Sequence, residues 1–246
     1  MKPAPFEYAS PETLDEALAL VGDDSRPLAG GQSLVPMLNF RLARPARLVD
    51  LEHVAALAFI VAGDSLRIGA MTRQAAIERS PAIAARWPLL RQAVRLVGHP
   101  QIRARGTIGG SIAHADPKAE LSVALAALGA RFHVRSAAGA RTLAAGELFR
   151  GPLMTALAPD ELLVEIEVPP LPEGARTAFL EQARTHGDFA IAGVAAVVRA
   201  DGVTLGLLGA GFTPVVVGSE AEIDAPDPYR RALLAALARR AIEAAA

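Results

Sequence analysis

Cysteine is absent from the 246-residue chain. Its absence excludes disulfides, thiolate nucleophiles, cysteine zinc sites and any iron–sulfur cluster held by this chain. Aromatic residues are scarce, at 4%, which argues against the stacking platforms that hold single-stranded nucleic acid. A surplus of positive charge is missing too: the net charge is −1, so no nucleic-acid partner is expected. Lysine occurs only at Lys2 and Lys118, the other basic residues being arginines. No apolar run reaches the ~18 residues of a membrane-spanning helix. Met1 to Ser10 lack the apolar stretch of a signal peptide. The expectation is a cytoplasmic protein without a transmembrane segment.

Hydrophobic residues make up 52% and charged residues 21%, enough apolar material for a sizeable core in one large domain or a main domain with a smaller companion. Ser10-Pro11-Glu12 predicts a helix start, with Ser10 as N-cap, and Leu14, Ala17, Leu18 and Val21 give that helix one apolar face. Short strands are predicted at Arg26–Ala29 and Arg47–Leu51, and a hairpin around Gly63-Asp64. Thr72 to Val97 reads as helix broken near Pro81 and Pro88. Gly98 to Pro117 reads as loop, and Ala119 to Leu128 as a short buried helix. A hairpin over 131–143 and a strand over 161–168 follow. Pro169 to Gly174 is the best linker. Beyond it, strands are predicted at 177–184, 190–199 and 203–208, the last two joined at Asp201-Gly202, and a helix closes the sequence over 229–244.

Two glycine-pair loops stand out, Ala29-Gly30-Gly31-Gln32-Ser33 and Thr107-Ile108-Gly109-Gly110-Ser111. Each reads as a plain turn or as a nest of backbone N–H groups for an anion, above all phosphate. Neither is a P-loop, since no Lys-Ser or Lys-Thr follows. Gly209-Ala210-Gly211-Phe212-Thr213-Pro214 fails as a dinucleotide fingerprint because proline replaces the last glycine. Ser111, His114 and Asp116 lie too close in sequence for triad members, which converge from separate segments. The five histidines show no metal-ligand spacing; His99 and His114 are set apart by their place at the second loop. Asp116 reads as a helix cap or as an acceptor for ribose hydroxyls. Arg103 and Arg105 read as phosphate partners or as solvated charges.

Three runs carry a family resemblance. Ala29-Gly30-Gly31-Gln32-Ser33-Leu34-Val35-Pro36 resembles the first flavin loop of the FAD-binding medium subunit of molybdenum hydroxylases of the carbon monoxide dehydrogenase and xanthine dehydrogenase type. Gly98-His99-Pro100-Gln101-Ile102-Arg103, Gly106 to Ser111 and Ala113-His114-Ala115-Asp116-Pro117 resemble its second loop. His186-Gly187-Asp188-Phe189-Ala190 is similar to the motif opening its C-terminal sheet, and Tyr229-Arg230-Arg231 with Arg239-Arg240-Ala241 to its last helix.

The resemblance implies an α+β fold: an FAD-binding domain of two subdomains (PCMH/VAO-like) over 1–172, divided near 52–57. A small C-terminal domain over 173–246 follows, with a three-stranded antiparallel sheet and helices. It implies that Ala29, Gly30, Gly31, Gln32, Ser33, Thr107, Ile108, Gly109, Gly110 and Ser111 contact FAD, mostly through backbone N–H groups. His99 is implied to lie near the flavin, and Asp116 and Glu120 at the cofactor. No residue is implied as catalytic acid or base. The implied function is electron transfer, from [2Fe–2S] clusters on a small partner subunit through FAD to an external acceptor. The molybdenum cofactor is implied on a large partner subunit, in a hetero-oligomer. The alternatives are a subunit for assembly or binding that has lost FAD, and a stand-alone flavoprotein reductase. Family members often run longer between Thr213 and Tyr229, so the C-terminal domain is expected to be shortened.

Overall fold

The structure, a computed structural model, describes residues 2–245; the outermost residues of the two expected domains, Met1 and Ala246, lie outside them. The chain opens with β1 (Glu7–Ala9), α1 (Leu14–Leu20), β2 (Ser25–Leu28), α2 (Leu34–Asn39) and β3 (Arg47–Asp50). The three strands form a parallel sheet in the order β1-β3-β2, with Leu48 paired to both Tyr8 and Arg26. Helix α1 begins three residues later than Ser10 would place it. Thr13, not Ser10, is the N-cap, because Thr13 and Glu16 form a reciprocal capping box. Ala17, Leu18 and Val21 then bury against Val49 and Leu51.

Next come β4 (Ile60–Ala62) and β5 (Leu66–Gly69), the expected hairpin. Prolines divide the following stretch into α3 (Gln74–Arg79), α4 (Pro81–Arg86) and α5 (Pro88–Leu96), each proline at a first helical position where its missing N–H costs nothing. The expected loop over 98–117 is instead two short helices, α6 (Pro100–Arg105) and α7 (Ile108–His114). Pro100 starts the first, and Thr107 caps the second by accepting the Gly110 N–H at 3.1 Å. Helix α8 (Glu120–Ala127) follows and is buried on almost every side. Then come β6 (Arg131–Ser136), β7 (Gly139–Ala144), the single turn α9 (Ala145–Leu148), β8 (Phe149–Gly151), β9 (Met154–Thr155) and β10 (Leu162–Val168). An antiparallel five-stranded sheet runs β4-β5-β10-β6-β7.

Trp87 is fully buried where α4 meets α5, and its indole N–H donates to the Pro169 carbonyl at 2.8 Å. This bond ties the helices to the 169–174 linker. Trp87→Phe is expected to lower unfolding stability by about 2–3 kcal/mol, from the orphaned carbonyl and the space left behind. A denaturant titration measures this.

Past the linker, β11 (Arg176–Gln182), β12 (Ala192–Arg199), β13 (Gly202–Leu208) and β14 (Val215–Gly218) form an antiparallel sheet in sequence order. It has one strand more than expected, since Val215–Gly218 continues the ladder on β13. The turn between β12 and β13 is Ala200-Asp201, one residue before the expected Asp201-Gly202, because Gly202 already pairs with Arg199. Helix α10 (Pro228–Ala245) packs Leu234, Leu237 and Ala241 against Ala178, Val194 and Leu205 on one face of this sheet. The opposite face turns Phe179, Ala195, Val197 and Leu208 into the largest core of the molecule, with residues of α5, α7 and α8. That core runs across residue 172. No helix among the described residues is long and apolar enough to cross a membrane.

Candidate functional site: two adjoining glycine loops

The first glycine loop leaves the C-terminal end of β2, where parallel sheets tend to place ligands. Gly31 has φ +73, a left-handed conformation that glycine adopts without strain. The Gln32 side chain donates back to the Gly30 carbonyl at 3.1 Å and steadies the turn. Val35 N–H donates to Gly31 O and Met37 N–H to Ser33 O, which starts α2. Among the described residues, the N–H groups of Gly30, Gly31, Gln32 and Ser33 donate to no protein acceptor. They are a run of free donors at a half-buried surface.

The second loop is arranged differently. Ile108 N–H donates to Thr72 O, Gly109 N–H to Ala70 O, Gly110 N–H to Thr107 Oγ1 and Ser111 N–H to Thr107 O. The expectation of two equivalent N–H nests therefore needs correction. Four donors of the second loop are already spent on holding it against the 70–74 segment and on starting α7. Among the described residues, its groups without a partner are the Ser111 hydroxyl and the Thr107 N–H.

The two loops touch. A Cβ placed on Gly30 would lie 2.2 Å from Arg105 O and 2.8 Å from Gly106 Cα, and one on Gly110 would lie 3.2 Å from Ala29 Cβ. Glycine is what lets these backbones meet. The guanidinium of Arg73 bridges the junction, bonding both Arg105 O and Glu52. Gln74 N–H adds a bond to Gly106 O at 2.9 Å. Sequence reasoning missed Arg73, Glu52 and Gln74, and no motif marks them.

Arg103 is not a phosphate partner. It is buried, paired with Glu78 (Nε to Oε2, 2.9 Å), and its Nη1 donates to the carbonyls of Val97 and Gly98. Its fork thereby fixes the turn that carries His99, the N-cap residue of α6. His99 meets the third motif rather than either glycine loop. Gly187, at φ +86, lies so close that a Cβ there would be 2.4 Å from His99 Cε1, and the His186 ring sits edge-on at 6.4 Å. The same motif reaches the far end of the second loop, where Lys118 Nζ lies 5.9 Å from the exposed Phe189 ring.

Asp116 is half-buried, and its Oδ1 accepts the Lys118 N–H at 2.8 Å. This is a turn bond, neither a helix cap nor a link to Ser111 or His114, so no triad is assembled. Glu120 is the first residue of α8 and only 6% exposed. Burial first, then the charges of Glu181 and Asp116, push its pKa up to about 8. Glu181, another residue that sequence reasoning did not propose, is pushed up to about 7 by burial. The Gly209–Gly211 turn opens no helix, so it forms no dinucleotide loop.

A run of unspent N–H donors beside a second glycine loop suits an anion such as a diphosphate. The comparisons with known proteins agree with that chemistry. The family described as the FAD binding domain in molybdopterin dehydrogenase matches residues 4–171. The alpha subunit of the 6-hydroxypseudooxynicotine dehydrogenase complex of Paenarthrobacter nicotinovorans is 47% identical, over 82% of this chain and 69% of that protein. The carbon monoxide dehydrogenase medium chain of Afipia carboxidovorans is 39% identical, over 87% and 78%. The structure of reconstituted CO dehydrogenase from Oligotropha carboxidovorans superposes with a TM-score of 0.93 at 35% identity, covering 100% of this chain and 99% of that one. The chain therefore belongs to the family of FAD-binding domains of the molybdopterin dehydrogenases, and is an oxidoreductase subunit of that class.

Proposed function

We propose that this chain is the FAD-carrying electron-transfer subunit of a molybdenum hydroxylase complex. The observation that carries the reading is the run of free N–H groups from Gly30 to Ser33 beside the second glycine loop. In this reading Ala29, Gly30, Gly31, Gln32 and Ser33 donate to the diphosphate. Thr107, Ile108, Gly109, Gly110 and Ser111 form the opposite wall, with the Ser111 hydroxyl and Thr107 N–H as their contribution. Asp116 and Glu120 offer carboxyl groups to the hydroxyl-bearing part of the cofactor, and His99 borders the end closed by Gly187. The cofactor-binding part spans 1–172, with an internal division near 52–57, and 173–246 forms the part that closes the site.

Bound FAD supplies a two-electron relay between one-electron clusters and an external acceptor. The chain's own task is to bind that group, orient it and limit its contact with water. The clusters and the molybdenum cofactor belong on a small and a large partner subunit in this reading. Two observations support partners: several relatives are named as subunits of dehydrogenase complexes, and this sequence has no cysteine for a cluster. The proposed compartment is the cytoplasm.

The first test is a visible absorbance spectrum of the purified chain after addition of FAD and passage through a desalting column. Flavin bands that stay with the protein are expected. If a folded chain stays colourless, both alone and when co-purified with its partner subunits, the reading fails in favour of an assembly role. Turnover of substrate by the isolated chain would favour a stand-alone reductase.

A further inference from the structure

Glu181 lies on β11 on the same face as Phe179, turned toward α8, while Ala178 and Leu180 face α10. Its cross-strand partner is Gly193, which pairs in turn with Leu208. One step along the same face, Gly206 packs under Val123 and Ala127 of α8. The N-terminal end of α8, with Glu120, therefore overlies the end of the sheet that carries Glu181. Gly193 leaves room there: a Cβ on it would sit 3.1 Å from Glu181 Cβ.

Neither carboxyl is neutralised. Oε2 of Glu181 is buried and has no hydrogen-bond partner. Glu120 is 6% exposed, and among the described residues its carboxyl forms no salt bridge. The elements around the pair carry His114 on α7, Asp116 and Lys118 before α8, Arg91 and Arg95 on α5, and Arg184, His186 and Asp188 in the 183–190 segment. None of these forms a salt bridge with either acid, and of them only Asp116 acts on Glu120, in the same direction as Glu181. Lys118 is turned to the Phe189 ring. A buried and a half-buried carboxylate without a cation repel each other and lose hydration, so the cheaper state keeps at least one of them protonated.

We propose that buried Glu120 and half-buried Glu181 form one acid pair between α8 and the four-stranded sheet, that the pair carries a proton at neutral pH, and that this proton sustains the affinity of the site for FAD. The second half rests on the function proposed above; the first half does not. Ionising the pair adds negative charge beside a site built for a diphosphate. Glu120 is part of that site, and Glu181 acts through it as a positioning residue.

The sign follows from proton counting. A carboxyl with a raised folded-state pKa holds its proton in the folded chain after the unfolded chain has lost it. Stability therefore falls as pH rises from the ordinary glutamate range to about 8, the value reached by Glu120. In the full chain without ligand, the melting temperature of the wild type should fall relative to Glu181→Gln between about pH 5 and about pH 9. Glu181→Asp, which keeps an acid, should follow the wild type. With FAD, fluorescence titration should show affinity weakening roughly tenfold or more over the same range in the wild type and much less in Glu181→Gln, as one added charge within ~10 Å at an effective dielectric of ~20 requires. Parallel melting profiles for wild type and Glu181→Gln would overturn the acid pair, whatever FAD does. Diverging melting profiles with identical FAD titrations would overturn its link to the site. Failure to bind FAD at any pH would overturn the function proposed above and leave the melting comparison to decide the pair.

Discussion

Gly30→Ala is expected to give a folded chain that loses flavin on a desalting column. The added methyl would lie 2.2 Å from the Arg105 carbonyl oxygen, 2.8 Å from its carbon and 2.8 Å from Gly106 Cα. All three are backbone atoms. They are pinned by the Arg73 guanidinium, by Gln74 N–H on Gly106 O and by Gly106 N–H on Ile102 O. The first loop must back away instead, carrying its free donors with it. A hydrogen bond to a charged acceptor contributes about 1.5–3 kcal/mol, so losing alignment at two of them weakens FAD binding by at least ~100-fold. Gly139→Ala is the control. Nothing lies within 4 Å of a Cβ there and its φ is ordinary, so flavin binding and stability should stay within about 0.5 kcal/mol of the parent.

A large loss of stability is expected at Gly109. Here the new Cβ would sit 2.4 Å from Ala70 Cβ, 2.6 Å from Ala70 O and 2.8 Å from Ala70 Cα. Alanine is the better helix former by about 1 kcal/mol, which favours the substitution inside α7. Overpacking opposes it by about 1–3 kcal/mol, and the Gly109 N–H bond to Ala70 O, 2.8 Å long, is forced open at a further cost of about 1–3 kcal/mol. Gly109→Ala should therefore cost about 1–5 kcal/mol in a denaturant titration. At Gly110 the nearest atom is a side-chain oxygen, Thr107 Oγ1 at 2.8 Å, so the adjacent glycine should tolerate alanine better. If the two substitutions prove equally costly, the packing of α7 on the 70–74 segment has been misassigned.

Much of the fold is legible from local chemistry. Pro81 and Pro88 mark the joints between α3, α4 and α5, because proline suits a first turn and little else in a helix. Asp201-Gly202 marks a hairpin but misplaces its turn by one residue, since Gly202 at φ +147 serves inside the ladder. Helices α6 and α7 escape a periodicity search. Both are short, α7 carries two adjacent glycines, and acceptors at Thr72 and Ala70 compensate for its weak propensity. The glycine loops announce a site by composition. Their division of labour does not show in sequence, because whether an N–H is free depends on acceptors contributed by a distant segment. Glu181 is invisible for a similar reason. It reads as an ordinary polar residue in an alternating strand until α8 is laid over that face.

Helix α8 has a consequence for how the molecule holds together. Its Leu121, Val123 and Leu125 belong to the same core as Phe132 and Ile166 on one side and Phe179, Ala195 and Leu208 on the other. Neither the part before residue 169 nor the part after 174 encloses that helix alone. Severing the linker would break the peptide chain without separating the pieces, and heating would melt both in a single cooperative transition. Covalent continuity and cooperative continuity are different things here: the backbone crosses from one part to the other along a proline-rich strap, but thermodynamically the two are joined through a helix that belongs to both.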